Sequence, residues 1–218
     1  MNEAILEDLK TKTKIAPIND VAQFSSIMCI IDFLYDTLHT KKDQIEHVKK
    51  LREDDEDAIK LIYEGFFVYA MIWSFGGSLT EDRISFSNLL KGLTKIKFPE
   101  QGQVYDYYFD PIQAEFLPWV DIVKPFDTTY DGLYANLVVP TAETVRQSYL
   151  IDVHLHSKKG VMFAGIAGTG KTTIIKHYFE HIDPDKVVTG SMSMNNYTDS
   201  FNLQTVLLSC VEKRTGKI

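Results

Sequence analysis

Between Asp20 and Leu38 the apolar positions Val21, Phe24, Ile27, Ile31, Leu34 and Leu38 recur at steps of three and four, a spacing that places them on one face of a helix. Asn19 and Asp20 stand where polar caps belong. The charged run from Thr40 to Asp57 is expected to face solvent. Ile59, Ile62, Tyr63, Phe66, Ala70 and Trp73 then resume a helical stripe that stops at Gly76 and Gly77. Phe66 to Leu79 reads as a core helix, because Ser74, Gly76, Gly77 and Ser78 interrupt it and it falls short of the ~20 residues a membrane crossing requires. Polar residues from Ser78 to Asp82 precede a third amphipathic stretch carrying Ile84, Leu89, Leu90, Leu93 and Ile96. The first hundred residues are thus predicted to be helical.

Pro99 ends that pattern. The next segment is rich in aromatic residues on both sides of Asp110-Pro111, which predicts a small β-hairpin turning there. Val120 to Leu133 holds Pro125, Asp131 and Gly132 without periodicity and reads as a connector. From Asn136 a short apolar stretch reaches Pro140, and a helix is predicted from about Thr141 with Val145, Tyr149 and Val153 facing inward. Val161 to Ala164 suits a buried parallel strand. A helix with Ile174, Ile175, Tyr178, Phe179 and Ile182 follows. Next come a strand candidate from Lys186 to Met192 and a final helix from about Asp199 with Phe201, Val206, Leu207, Cys210 and Val211. That alternation predicts an α/β fold with an incomplete parallel sheet, preceded by an all-helical part and the hairpin.

Composition narrows the function classes. An apolar share of 44% and an aromatic share of 12% suit a folded soluble chain. The net charge of -7, with basic residues scattered along the chain, speaks against a nucleic-acid or anionic membrane surface. Cys29 and Cys210 sit in helical patterns without metal-type spacing, so both read as buried free thiols of a reducing, cytosolic compartment. No charged-then-apolar leader opens the sequence.

The chemistry concentrates in GIAGTGKT: Gly165, Ile166, Ala167, Gly168, Thr169, Gly170, Lys171 and Thr172. Every fixed position of GxxxxGK[ST] is satisfied between a strand candidate and a helix. Glycines let the backbone curl so that successive amides face an anion at a helix start. Lys171 is expected to reach the β- and γ-phosphates of ATP, or the β-phosphate of ADP, and Thr172 to ligate Mg²⁺, which prefers hard oxygen ligands. Hydrolysis also needs acidic residues at the end of another strand, and no such strand lies between Thr172 and Ile218. Binding is therefore expected of this chain, and turnover by the chain alone is not; no catalytic residue is assigned.

Other polar residues receive plainer readings. Asp32 follows an apolar triplet but belongs to a helical face. His154, His156, His177 and His181 have no convergent carboxylate or cysteine in the sequence and read as surface positions. Tyr105, Tyr107, Tyr108 and Phe109 read as hairpin packing, since the basic interleaving of a base-stacking platform is missing.

Several strings besides the P-loop resemble a dynein heavy chain, the AAA+ motor of microtubules. EGFFVYAMIWSFGGSL, KFPEQGQVYDYYFDP and FLPW are similar to the lid of the second AAA+ module and the joint after it. LVVPTAETVRQSYLIDVHL and SMSMNNYTDSFNLQTVLLSCVEKRTGK are similar to the large subdomain of the third. The resemblance implies a lid over residues 1–98, a hairpin and connector over 99–135, and the N-terminal part of a P-loop large subdomain over 136–218. It implies that Val139, Pro140 and Thr141 wall an adenine pocket, whereas Arg146, in the family's TxR string, could equally serve a structural ion pair. It implies that nucleotide at this module regulates the main motor site. It also implies as partners the neighbouring AAA+ modules and, through an intact parent, intermediate and light chains and microtubules, with neither nucleic acid nor membrane. The YDYYFDP, FLPW and NNYTDS strings look closer to axonemal dyneins, which implies cytoplasm, cytoskeleton and the axoneme of a cilium or flagellum. Two other readings stay open: another AAA+ P-loop ATPase, and a helical interaction module with a vestigial P-loop.

Overall fold

The computed structural model describes residues 20–40, 56–79, 81–126, 137–185 and 187–211. The expected cap at Asn19, most of the charged run after Thr40 and the later part of the connector lie outside these residues. So do the side chains of Val21, Phe24 and Leu38. The chain divides into two compact units, Met1–Gly165 and Ile166–Ile218.

In the first unit, α1 (Asp20–Thr40) buries Ile27, Ile30 and Leu34, spaced three and four apart as an amphipathic helix requires. Helix α2 (Glu56–Met71) runs directly into a π-helical turn (Ile72–Gly76). Phe66, Val68, Tyr69, Ala70, Met71 and Ile72 are all buried, so this segment is enclosed on every side and is the core helix expected. The N-terminal part of the predicted stripe differs: Ile59 and Tyr63 are exposed, because enclosure begins only near Gly65.

Helix α3 (Arg83–Leu93) turns Phe86, Ser87 and Leu90 inward. Ile84 and Leu93, expected on that face, are exposed. A helix starting at Arg83 sets its buried stripe on the 86/90 row, and the intervening positions rotate out to solvent. Ile96 is buried in the segment beyond the helix.

The hairpin forms where expected. Strand β1 (Tyr107–Asp110) pairs antiparallel with β2 (Glu115–Pro118), with Tyr107 opposite Pro118 and Phe109 opposite Phe116. The Asp110 carboxylate accepts from the Ile112 amide at 2.8 Å, so the Asp-Pro signal works as an Asx turn. Tyr105, Tyr107, Phe109 and Phe116 are buried, which makes the aromatic cluster hairpin packing. Phe109 stands edge-on to Phe66 at 5.8 Å. A Cβ on Gly65 would overlap the Phe109 ring, so the close approach of α2 and β1 depends on that glycine.

Helix α4 (Ala142–His156) completes the first unit's core with Val153 fully buried and Val145 and Tyr149 packed beside it, as predicted. The Tyr149 ring meets Phe33, Tyr69 and Trp119 edge-on at 5.4, 6.2 and 5.4 Å. One phenol thereby joins α1, α2 and the turn after the hairpin.

The second unit contains α5 (Lys171–Glu180) and α6 (Ser200–Ser209), started by Asp199, whose carboxylate accepts from the Asn202 amide at 2.8 Å. Ile174 is buried and Ile175, Tyr178, Phe179 and Ile182 are half-buried. Phe201, Leu207 and Val211 are exposed.

One expectation is corrected. Among the described residues the only sheet is the two-stranded antiparallel hairpin; the predicted parallel strand 161–164 and residues 187–192, the described part of the strand predicted over 186–192, carry no ladder. Met162 and Val188 are 85% and 74% exposed. A short apolar run becomes a parallel strand only with hydrogen-bonded neighbours, and among the described residues these segments have none.

Candidate phosphate-binding site

Within the second unit the chain turns at Ala167 and Gly168 and bends at Thr169 and Gly170 before α5 begins. Gly168 and Gly170 have φ of +82° and +78°, the left-handed region that costs other L-residues about 1–2 kcal/mol. A Cβ at either would meet no atom within 4 Å, so backbone conformation rather than space calls for glycine. Gly170 caps α5 with its carbonyl, which accepts from the Ile174 amide at 2.9 Å. The first amides of α5 have no acceptor within their own helix, which gives this end its affinity for anions.

Lys171, the first residue of α5, folds back over the loop. Its ammonium donates to the Ile166 carbonyl at 2.6 Å and to Thr169 Oγ1 at 3.0 Å, while the Thr169 hydroxyl donates to the same carbonyl at 3.0 Å. Thr172, next on the helix, is exposed. Left-handed glycines, a helix start and an ammonium over the loop form a donor set that fits a phosphate chain. The exposed Thr172 hydroxyl is a hard oxygen at the same helix start, which suits Mg²⁺ held jointly with phosphate oxygens. The structure thus places Ile166 to Gly170 in one loop and Lys171 and Thr172 at the helix start that follows it; Gly165 is the last residue of the first unit.

Val139, Pro140 and Thr141 belong to the first unit, at the start of α4. Val139 is exposed, and Thr141 is the helix cap, its hydroxyl accepting from the Thr144 amide at 3.2 Å. Arg146 takes a structural role. It donates to the Tyr105 carbonyl at 3.1 Å, pairs with Glu143, and lies 5.6 Å from the centre of the Trp73 ring. Burial lowers its pKa, with Arg83 acting in the same direction.

The histidines are more engaged than the sequence suggests. His154 shares a hydrogen bond with Ser26 at 3.1 Å, and His156 meets a carboxylate after all, Asp36 at 2.8 Å. Asp32 stands exposed on α1, lining an open depression of about 580 Å³ together with Cys29, Tyr35, Asp36, His156 and Lys159. His177 and His181 approach to 4.3 Å, and partial burial together with that neighbour lowers the His177 pKa. Cys29 is buried and Cys210 half-buried, and both are free thiols. Among the described residues no group of three or more His, Cys, Asp or Glu side chains is placed to hold a metal, and no helix is long and apolar enough to cross a membrane.

Two family models match. Residues 1–121 match the dynein heavy chain AAA lid domain, and residues 126–218 match the P-loop containing dynein motor region. Among curated relatives, the chain is 33% identical over 210 residues to dynein axonemal heavy chain 17 of Mus musculus, covering 94% of this chain and 4% of that protein. It is 33% identical over 218 residues to the dynein alpha chain of the flagellar outer arm of Chlamydomonas reinhardtii, covering 96% of this chain and 4% of that one. It is 36% identical over 167 residues to dynein axonemal heavy chain 9 of Homo sapiens, covering 74% and 4% respectively. The chain thus spans about 4% of the length of these relatives.

Proposed function

The chain belongs to the dynein heavy chain family, and on that premise we propose that it is an ATP-binding segment of an axonemal motor, straddling two neighbouring AAA+ modules. Residues 1–98 serve as the lid of one module, 99–135 as hairpin and connector, and 136–218 as the opening part of the next module's large subdomain. The observation that carries the nucleotide reading is Lys171 turned back over a loop whose Gly168 and Gly170 are left-handed. Gly165 to Thr172 hold the β- and γ-phosphates of ATP, or the β-phosphate of ADP, and the Thr172 hydroxyl ligates Mg²⁺. Val139, Pro140 and Thr141 contact the adenine.

Nucleotide bound here regulates the main motor site elsewhere in the heavy chain. A ligand shifts such an equilibrium only through contacts that differ between the two states, and phosphate contacts at the start of α5 supply that difference. The partners are the adjoining AAA+ modules and, through the whole heavy chain, intermediate and light chains and microtubules in a cilium or flagellum. The test is calorimetric titration of the 218-residue chain with MgATP and MgADP. Saturable binding that Lys171→Ala abolishes supports the reading; a folded chain that binds neither nucleotide overturns it.

A further inference from the structure

The P-loop signature fixes its glycines, its lysine and its last hydroxyl, and leaves the position of Thr169 open to any residue. In this chain that side chain is engaged on both sides. Its hydroxyl donates to the Ile166 carbonyl at 3.0 Å and accepts from the Lys171 ammonium at 3.0 Å, and the ammonium reaches the same carbonyl at 2.6 Å. These three bonds close a small ring across the loop from residue 166 to residue 171. Thr169 itself is exposed, so packing does not explain its orientation.

Building on the triphosphate-binding reading above, we infer that Thr169 is a positioning residue that holds the Lys171 ammonium over the loop for the terminal phosphates. A lysine side chain carries four rotatable carbons and three donors, and free in solvent it spreads over many rotamers. An ammonium has three donors, and a hydroxyl acceptor steers the amine without neutralising it. A carboxylate in the same place would compete with phosphate for the ammonium. A valine, similar in shape, would leave the amine and the Ile166 carbonyl only their bond to each other. The inference concerns the residue just before the loop's second fixed glycine, Gly170, and it predicts discrimination by phosphate count rather than by base.

The test compares Thr169→Val, Thr169→Ser, Lys171→Ala and the Thr169→Val/Lys171→Ala double variant in the full chain, titrated with MgATP and with AMP. Thr169→Val is expected to weaken MgATP binding about 3- to 10-fold, the usual worth of one solvent-accessible hydrogen bond. AMP binding should move little, Thr169→Ser should restore MgATP affinity, and the valine should add nothing once Lys171 is gone. A second measurement needs no nucleotide: the side-chain NMR signal of Lys171 should shift toward that of a freely rotating lysine in Thr169→Val and return in Thr169→Ser. Wild-type affinity in Thr169→Val, failure of serine to restore it, or an equal loss in the Lys171→Ala background overturns the inference while leaving nucleotide binding intact. A wild-type chain that binds no nucleotide sinks the functional reading instead, and the Lys171 signal then decides this one: unchanged by valine, it overturns the inference.

Discussion

The Nε2 atom of His156 lies 2.8 Å from a carboxylate oxygen of Asp36, so the last residue of α4 is tied to α1 across 120 positions of sequence. The imidazole also stands edge-on to Phe33 at 5.5 Å. The two side chains are 44% and 56% exposed, and water and salt screen a pair in that setting. Asp36→Asn is therefore expected to lower unfolding stability by less than about 1 kcal/mol, and the loss should shrink further in high salt. Urea denaturation at low and high ionic strength measures both; a loss above about 2 kcal/mol would show that the pair is far better shielded than its exposure suggests.

Tyr149 presents the opposite case. Its ring fills the space between Phe33, Tyr69 and Trp119, and burial, with Asp152 nearby, pushes its phenol well above the usual range. Tyr149→Ala should cost about 3–5 kcal/mol, as large aromatic truncations in packed cores do. Chemical denaturation of the first unit, followed by Trp73 and Trp119 fluorescence, reads the loss. A cost near 1 kcal/mol would mean that the neighbouring rings collapse into the gap.

These two residues also mark how far the sequence could be read. Tyr149 was legible because Val145, Tyr149 and Val153 repeat with helical spacing, and burial follows from spacing. The turn before α5 was legible because its glycines, lysine and threonine fall within eight positions of sequence, so their proximity needs no tertiary information. The Asp36–His156 pair was hidden because nothing local in either segment points to the other. The parallel strands failed for a related reason. Val161 to Ala164 has the apolar character of a buried strand, but pairing is a property of two segments, and these residues lie without a ladder. In α3 the stripe was misphased because exposed Ile84 and Leu93 match the hydrophobic pattern as well as the buried residues do.

Gly65 offers a test in which two effects have opposite signs. Replacing glycine by alanine inside a helix ordinarily stabilises by up to about 1 kcal/mol. Here the added methyl would overlap the Phe109 ring, and overpacking of a core costs about 1–3 kcal/mol. Gly65→Ala is expected to destabilise, and Phe109→Leu should recover part of the loss in a double-mutant cycle. Thermal unfolding of the four proteins settles the sign; an alanine variant more stable than the parent would show that β1 does not approach α2 this closely.

Alkaline pH probes the same core. Burial raises the Tyr105 phenol to about 12, with the Arg83 guanidinium pulling it down, and its hydroxyl donates to the Gly76 carbonyl at 3.1 Å. In the unfolded chain a tyrosine loses its proton near pH 10. The stability this group contributes is thus complete below pH 10 and declines as pH rises through 10 toward 12. Tyr69 and Tyr149 shift in the same direction and add to the decline. Urea midpoints at pH 9 and pH 11 should differ less in Tyr105→Phe than in the parent; an equal difference would show that Tyr105 ionises as an ordinary surface phenol.

The last prediction separates backbone conformation from space at the phosphate loop. Gly170 caps α5 at φ +78° with open surroundings, so a methyl there meets no neighbour but forces an L-residue into the left-handed region. Gly170→Ala should therefore keep the first unit's unfolding unchanged while straining the loop by about 1–2 kcal/mol. If that strain is relieved by the loop leaving its phosphate-binding shape, MgATP affinity falls about 5- to 30-fold, with 1.4 kcal/mol to each decade. Lys171 should then lose its bond to the Ile166 carbonyl, because both ends of that contact depend on the curl between them. Calorimetric titration of the variant against the parent gives the number. Unchanged affinity would mean that the helix start binds phosphate without the left-handed cap, and the amides of α5 alone would then have to account for recognition.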